Sequence, residues 1–310
     1  MKRMTNRNVL ILGGSGQVGW ELGRKLARLG QIDGIESPRV DFTQADSIRK
    51  AVRAAEPAFI FNAAAYTAVD KAESEPDLAA AINGTAPGVL AEEAARLGSV
   101  LIHYSTDYVF DGTKPGPYLE TDAPNPLNVY GRTKLAGDEA IQSVGGDYLI
   151  FRTSWVYGPR GSNFLLTMLR LANEHSELRV VDDQVGAPTS SASIAQATAE
   201  IVARLLSPKQ GGLQGRSGIY NLTNAGATTW FGFAKAILTR QAASSGAALP
   251  NLVPIKTSEF PRPATRPANS RLSCQHLEET FGVQLPDWED ALSLVLETLH
   301  DEAGQVSGNS

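Results

Sequence analysis

The sequence has a single cysteine, Cys274, so it can form neither an intramolecular disulfide nor a cysteine-based metal cluster. It also lacks a long apolar run. The basic segment MKRMTNRN is followed by only four apolar residues, VLIL, before GGSG, which is too short for a signal-peptide core or a membrane span. These absences predict a cytoplasmic protein with no membrane partner.

Positive charge is not in excess either. The formal net charge of -5 argues against nucleic acid as a partner, although one local basic pocket could still bind a small anion. What the chain does contain is ordinary for a globular protein: 310 residues, of which 42% are hydrophobic and 20% charged. A chain of this length can bury a sizeable core.

Short apolar strands alternate with amphipathic helices along the first half of the chain. A buried strand at VLIL, a glycine turn and a helix come first, and a later helix is predicted from about Asp77 to Leu97. This alternation predicts an α/β fold, a Rossmann-like doubly wound parallel sheet with a smaller, mainly C-terminal substrate-binding lobe. We expect a dinucleotide-binding domain over residues 1–155, with elements from about 178–230 returning to it, and a lobe formed mainly by residues 156–310.

Gly13, Gly16 and Gly19 form a GxxGxxG pattern between the first strand and its helix. A helix N-terminus behind such a turn exposes backbone N–H groups and a partial positive charge, which suits a pyrophosphate. A tight turn without a ligand is the alternative, but the strand and helix in the expected places favour dinucleotide binding.

Charged residues after the second strand bear on which dinucleotide binds. Glu36 could accept hydrogen bonds from the adenosine ribose and so favour NADH, whereas Arg39 could pair with the 2′-phosphate of NADPH. Asp41 is better placed for the adenine edge, unless it only forms a turn before the next helix. The choice between NADPH and NADH stays open at this point.

Tyr130 and Lys134 are four residues apart at the start of a predicted helix, downstream of a strand that ends in Ser105-Thr106-Asp107. On a helix this spacing places both side chains on one face. A neutral phenol can donate a proton, and a neighbouring ammonium is expected to lower the pKa of the phenol toward working pH. With Thr106 as a hydrogen-bond partner of the same substrate oxygen, this set suits hydride transfer to a carbonyl carbon with protonation of its oxygen.

Further segments make the pattern more specific. They are NAAAYTAVDKAESEP (62–76), HYSTDYVFDG (103–112), PLNVYGRTKLAGDEA (126–140), FRTSWVYG (151–158), DDQVGAPT (182–189) and RPANSRL (266–272). Together with the glycine turn, they resemble the dTDP-4-dehydrorhamnose reductase family of the extended short-chain dehydrogenase/reductase superfamily. The resemblance covers nearly the whole chain.

The resemblance implies NAD(P)H-dependent reduction of the C4 ketone of dTDP-4-dehydro-L-rhamnose to dTDP-L-rhamnose, which supplies activated rhamnose for surface polysaccharide. Tyr130 would donate the proton, Lys134 would tune it and hold the nicotinamide ribose, and Thr106 would complete the catalytic set. The implied cofactor-binding residues are Gly13, Gly16, Gln17, Val18, Gly19, Glu36, Asp41, Phe42, Ala65, Tyr66, Thr67, Tyr104, Tyr130 and Lys134. The implied substrate-binding residues are Thr106, Asp107 and Trp155.

Some of these assignments have structural alternatives. Trp155 could border the sugar or fill an edge of the core. Among Arg262, Arg266 and Arg271, Arg266 is the best candidate to bind the dTDP diphosphate, and a solvated loop is the alternative. The four histidines are scattered and are expected to have structural or exposed roles.

The chain departs from the family at a metal position. Some relatives form dimers around Mg²⁺ held by glutamates, and Glu21 fits one such position, but Ala192 stands where another carboxylate is expected. A hard cation needs oxygen ligands, so the substitution argues against Mg²⁺ at a dimer interface, while a homodimer remains open.

Three other functions compete. Sugar-nucleotide dehydratases of this fold carry a glutamate where Tyr108 stands, so the acid for water elimination is missing. A reductase for another dTDP-4-ketohexose epimer would carry the same motifs. A noncatalytic nucleotide-binding subunit would not need the Thr106, Tyr130 and Lys134 set.

Overall fold

The computed structural model describes residues 7–29, 34–207, 212–246 and 248–307. The strands in this part of the chain are β1 (Asn8–Leu12), β2 (Gly34–Glu36), β3 (Phe59–Asn62), β4 (Val100–Thr106), β5 (Tyr148–Thr153), β6 (Val156–Tyr157), β7 (Glu177–Val181), β8 (Val185–Gly186), β9 (Thr189–Ser190), β10 (Gly218–Asn221), β11 (Thr228–Thr229) and β12 (Asn251–Ile255). The α-helices are α1 (Gln17–Leu26), α2 (Ala45–Ala55), α3 (Val69–Ala72), α4 (Pro76–Ala80), α5 (Ala86–Leu97), α6 (Val129–Val144), α7 (Phe164–Glu174), α8 (Ser191–Leu206), α9 (Trp230–Ser245), α10 (Gln275–Phe281) and α11 (Trp288–Ser307).

Six parallel strands form the central sheet in the order β10-β5-β4-β3-β1-β2. From β1 the chain first adds β2 on one side and then β3 on the other. A reversal of this kind opens a crevice outside the carboxyl ends of the strands, where open α/β sheets bind ligands. The predicted fold class is confirmed.

Both faces of the sheet are covered, as the apolar strands require. Within β1, Val9 and Ile11 belong to the core cluster beneath α1 and α8, whereas Leu10 and Leu12 belong to the cluster beneath α2 and α5. Alternate side chains of a strand point to opposite faces, so one continuous apolar run supplies two cores. Apolar packing therefore anchors the sheet on both faces.

The second half of the chain divides between the sheet and a lobe. β10 joins the sheet beside β5, and α8 packs against α1. By contrast, β7 pairs with β12, and a separate apolar cluster is formed by residues of α7, α9 and α11. The boundary at residue 155 and the returning span of about 178–230 both stay predictions.

The helix predicted from about Asp77 to Leu97 is interrupted. Its middle, Ala81–Thr85, is a π-helical segment between α4 and α5. Helix α6 approaches this segment at Gly137, where an added Cβ would overlap the carbonyl oxygen of Asn83. A π-helical turn contains one residue more than an α-turn, and such turns often occur at functional sites.

No helix in the described ranges has both the length and the apolar composition needed to cross a bilayer.

We predict opposite effects for two glycine substitutions in α1. A Cβ at Gly19 would overlap the Gly13 carbonyl group, whereas the nearest heavy atom to a Cβ at Gly23 is Ile11 Cδ1 at 4.0 Å. Gly19→Ala should lower the free energy of unfolding by about 1–3 kcal/mol, because backbone must shift. Gly23→Ala should raise it by up to about 1 kcal/mol, because alanine favours the helix.

Urea unfolding of both variants and the parent protein measures the difference. Equal stability of the two variants would contradict the close approach at Gly19.

Candidate active site

The glycine turn joins the end of β1 to the start of α1. Gly13 has φ +81°, and the Gly16 N–H donates to its carbonyl oxygen at 2.9 Å. Gly16 caps α1 without a side-chain hydrogen bond, and the first turn contains no acidic residue. The N–H groups at this end, in the turn that contains Gln17 and Val18, therefore favour an anion.

Gln17 also links the turn to the lobe. Its Oε1 accepts a hydrogen bond from Asn163 Nδ2 at 2.9 Å, and Asn163 is the residue that caps α7. Arg160 from the same lobe segment lies over the Trp20 ring at 4.3 Å from its centroid. The start of α1 is thus contacted from across the crevice.

The residues predicted at the adenosine end lie beyond β2. Glu36 ends that strand, but its side chain lies outside the described residues. The hydroxyl and backbone N–H of Thr43 both donate to Asp41 Oδ1, at 2.6 and 2.9 Å, and these bonds hold the pKa of Asp41 below its ordinary value. Phe42 packs against the core, and Arg39 is exposed. Asp41 therefore forms a turn here, and its contact with adenine stays a prediction.

The loop after β3 contains Ala65, Tyr66 and Thr67 and is held by Asn83 of the π-helical segment. Asn83 Oδ1 accepts from the Tyr66 N–H at 2.8 Å, while Asn83 Nδ2 donates to the Tyr66 carbonyl at 3.1 Å and to Thr133 Oγ1 at 3.3 Å. The Tyr66 hydroxyl donates to Glu75 at 2.6 Å. Sequence analysis missed Asn83, although an Asn-Gly pair inside a helical pattern is an unusual feature that marks a local exception.

Tyr130 lies in the first turn of α6, beside the end of β4. The Asn128 side chain caps this helix by accepting from the Gly131 N–H at 2.8 Å, and the Tyr130 ring meets the Tyr108 ring edge-on at 5.7 Å. Burial raises the pKa of Tyr130 to about 12, and a hydrogen bond with Thr106 offsets only part of this shift. The phenol therefore stays protonated at neutral pH and can donate its proton.

Lys134 is 1% exposed, one helical turn beyond Tyr130. Its Nζ donates to the Tyr104 carbonyl oxygen at 2.7 Å and lies 3.0 Å from His103 Nε2. Burial lowers the pKa of Lys134 to about 8, and the charge of Asp138 partly offsets this effect.

The expected direction of the Tyr130 pKa was wrong for this structure. The pKa of the phenol lies above its ordinary value, because burial and the negative charges of Asp107 and Asp138 exceed the effect of the Thr106 hydrogen bond. Lys134 is instead bound to His103 and Tyr104. The pair still has its predicted placement on one helix.

The remaining β4 residues are buried. Tyr104 belongs to the core, and its hydroxyl lies 3.0 Å from Thr198 Oγ1, so only its backbone faces Lys134. Asp107, 3% exposed, accepts from Thr106 Oγ1 at 3.1 Å. Burial raises the pKa of Asp107 to about 7, although hydrogen bonds from Ser270 and Thr106 oppose the shift.

Trp155 has a backbone φ of +48°, which side-chain-bearing residues rarely adopt. Its ring stacks on Trp230 with centroids 3.6 Å apart and lies so close to Gly186 that a Cβ there would come within 2.6 Å of the indole. Strained backbone of this kind costs about 1–3 kcal/mol and clusters at functional sites. The Trp155 ring is therefore held at the edge of the site by its contacts with Trp230 and Gly186.

Arg266 forms a two-fold ion pair with Asp70, with both nitrogen–oxygen distances at 2.9 Å. Arg262 also approaches Asp70, at 4.0 Å, whereas Arg271 donates to the carbonyl of Pro115. The charge of Arg266 is thus compensated within the chain, and its role toward a diphosphate stays a prediction.

Within the described ranges, no group of three or more His, Cys, Asp or Glu side chains could hold a metal ion. Glu21 is 4% exposed and lies 3.8 Å from Arg24. Mg²⁺ at a dimer interface, which the sequence makes doubtful, is not supported by these residues, and the homodimer stays untested.

The family model described as "RmlD substrate binding domain" matches residues 7–301. A dTDP-4-dehydrorhamnose reductase of Burkholderia thailandensis is 49% identical over 294 residues, which cover 94% of this chain and 98% of the relative. The reductase of the same name from Escherichia coli K12 is 45% identical over 298 residues, with 94% and 98% covered.

A solved structure is also similar. The crystal structure of dTDP-4-dehydrorhamnose reductase from Bacillus anthracis in complex with NADP superposes with a TM-score of 0.85 at 34% identity, covering 95% of this chain and all of that chain.

We predict that Asn83→Ala lowers the free energy of unfolding by about 1–3 kcal/mol, since the Tyr66 backbone loses both hydrogen bonds at once. Amide hydrogen exchange at Tyr66 should also become faster. The control is Asn173→Ala, an exposed asparagine with one bond to a helix carbonyl, which should change stability by less than about 0.5 kcal/mol. Similar losses in both variants would show that Asn83 does not hold the loop.

Proposed function

Because the chain belongs to the RmlD substrate binding domain family, we propose that it catalyses the reaction for which its curated relatives are named, the reduction of dTDP-4-dehydro-L-rhamnose to dTDP-L-rhamnose. The observation that supports this function in the site is the hydrogen bond between Tyr130 and Thr106 at the carboxyl end of β4, with Lys134 one turn further along α6 and bonded to the β4 backbone. The chain is an oxidoreductase that uses a nicotinamide cofactor.

The glycine turn fits a dinucleotide. The close approaches at Gly13 and Gly19 leave no room for side chains, and α1 begins without a side-chain cap. We assign the diphosphate to the N–H groups around Gly16, Gln17 and Val18, and the nicotinamide end to the loop at Ala65–Thr67 and to Lys134. When bound, this cofactor supplies a hydride to the carbonyl carbon of the sugar.

Tyr130 donates its proton to the C4 oxygen as that oxygen gains negative charge. Its raised pKa keeps the proton on the phenol until this charge develops. Thr106 orients the same oxygen through its hydroxyl, and the Lys134 ammonium stabilises the phenolate that remains. The buried setting strengthens each of these interactions because water is excluded.

Asp107 and Trp155 are assigned to the sugar nucleotide because they follow β4 and β5 at the same edge as Tyr130. We assign Arg266 to the dTDP diphosphate, with Asp70 holding the guanidinium until the substrate arrives. The reactants of this chemistry, a reduced nicotinamide dinucleotide and a dTDP-sugar, favour the cytoplasm as its location.

Two alternatives remain. A reductase for another C4 epimer would use the same residues, because the product depends on which face of the sugar meets the nicotinamide. A noncatalytic subunit would keep the cofactor site without turnover. A dehydratase is disfavoured, since the position of its acid is occupied by Tyr108, whose ring packs on Tyr130.

The test is oxidation of NADPH, and separately of NADH, by purified protein with freshly generated dTDP-4-dehydro-L-rhamnose, with NMR identification of the sugar. Formation of dTDP-L-rhamnose supports the proposal, and the two rates decide the cofactor preference. Another epimer would change the product, and no oxidation despite cofactor binding would favour the noncatalytic subunit.

We expect Tyr130→Phe to lower kcat by about 10²- to 10⁴-fold while cofactor affinity is retained, since only the proton donor is removed. Tyr148→Phe is the matched control, because Tyr148 starts β5 at the opposite edge of the sheet. Steady-state rates and NADPH fluorescence titration measure the two effects. Unchanged turnover in Tyr130→Phe would exclude it as the acid.

The pH dependence of kcat/KM for the cofactor should show an alkaline limb near pH 8. The pKa of Lys134 is lowered to about 8, so the ammonium is present below this pH and lost above it. Above the limb the value should fall about tenfold per pH unit. Tyr130, with its pKa near 12, stays protonated in this range and does not contribute. A profile that is flat to pH 10 would rule out the charged lysine as a cofactor ligand.

A further inference from the structure

His103 lies in the middle of β4 and is fully buried, with no assigned function. Its two ring nitrogens face different elements. Nε2 lies 3.0 Å from Lys134 Nζ on α6, and Nδ1 lies 2.9 Å from the side-chain amide of Asn62 at the end of β3. The imidazole therefore connects two adjacent strands to the helix that carries the proposed proton donor.

The donors and acceptors of Lys134, His103 and Asn62 allow only one hydrogen-bonding arrangement. A charged lysine has three N–H donors and no acceptor, so His103 Nε2 must accept and the ring proton must lie on Nδ1. The partner of Nδ1 must then be an oxygen. The structure has Asn62 Nδ2 at Nδ1 and leaves Asn62 Oδ1 without a partner, and a 180° rotation of the amide places the oxygen on Nδ1–H.

The surroundings of Lys134 leave His103 as its side-chain acceptor. Asp138, one turn further along α6, acts on the ammonium by charge, while its Oδ2 accepts from Ser105 at 2.9 Å and from Arg152 of β5 at 3.3 Å. Tyr130 lies one helical turn before Lys134 on α6, and Asp107 follows Thr106 directly after β4. Of the three ammonium protons, two are donated within the described residues, to the Tyr104 carbonyl and to His103.

We propose that His103 is a positioning residue for the reduction, which aims the third N–H of Lys134 at the cofactor by accepting one of the other two. This inference rests on the proposed function through the role of Lys134. A neutral imidazole is suited to the task because it adds an acceptor without adding charge. Burial and the positive charge of Lys134 keep it neutral by lowering the pKa of His103 well below its ordinary value.

The proton assignment is tested directly by long-range ¹H–¹⁵N NMR of the imidazoles in the full chain, with His103→Gln identifying the resonance among the four histidines. The expected result is a neutral Nδ1–H tautomer from pH 5.5 to 7, where Lys134 is charged, with Nε2 shifting toward the value of an unbonded nitrogen in Lys134→Met. An Nε2–H tautomer, an imidazolium or an unshifted Nε2 would overturn the proposal.

The functional role is tested with two substitutions. His103→Leu removes the acceptor, so NADPH affinity should fall about tenfold to a hundredfold and the alkaline limb of its pH dependence should move down by about one unit or more, because the ammonium loses a partner. His103→Gln offers Oε1 as an acceptor and should recover most of both losses. His300→Gln, at an exposed histidine, should change neither.

Unchanged affinity and pH limb in a folded His103→Leu would overturn the proposal, as would equal losses in the Gln and Leu variants. If the Leu variant does not fold, the wild-type tautomer and the Lys134→Met shift decide the question. These readouts need only NADPH and the protein, so a failure of sugar reduction would refute the proposed function without affecting the test of His103.

Discussion

The burial of one ammonium group constrains the site more than any other interaction. An isolated lysine charge is costly to remove from water, and Lys134 is 1% exposed. It is tolerated because β4 supplies a carbonyl and an imidazole, and α6 itself supplies Asp138. That carboxylate in turn compensates Arg152, which is 2% exposed. Charge balance thus fixes how α6 sits on β4 and β5, and with it the position of Tyr130.

The lobe meets this framework through specific contacts. Asn163 reaches Gln17 at the glycine turn, and Trp155 stacks on Trp230 at the end of β5. The first contact joins the proposed diphosphate site to the lobe, and the second joins the proposed sugar site to it. Both proposed ligands would therefore lie where the sheet and the lobe are already connected.

Local patterns predicted much of this arrangement. The first strand, the glycine turn and the helix could be predicted because each signal lies within a few residues. The spacing of Tyr130 and Lys134 predicted that both side chains lie on one face of a helix. Contacts between residues that are far apart in the sequence could not be predicted. Asp70 pairs with Arg266 nearly two hundred residues away, β7 pairs with β12, and the raised pKa of Tyr130 depends on burial by the whole fold. The scattered histidines indicate structural or exposed roles, and the contacts of His103 with β3 and α6 could not be predicted because its partners lie on two other elements.

The π-helical segment is the one stretch of this helix where the length can change without turning its two ends against each other. A π-helical turn holds one residue more than an α-turn, so deleting one residue within Ala81–Thr85 would restore a regular α-helix and leave the flanking turns in nearly the same register. The apolar face of α5 would stay on the core, and the loss would fall on the turn in which Asn83 holds the Tyr66 backbone. A deletion in the regular turns of α5 would instead rotate the residues on one side of it by about 100° relative to the other. The extra residue of the π-helical segment therefore serves the loop at Tyr66 and not the packing of the helix.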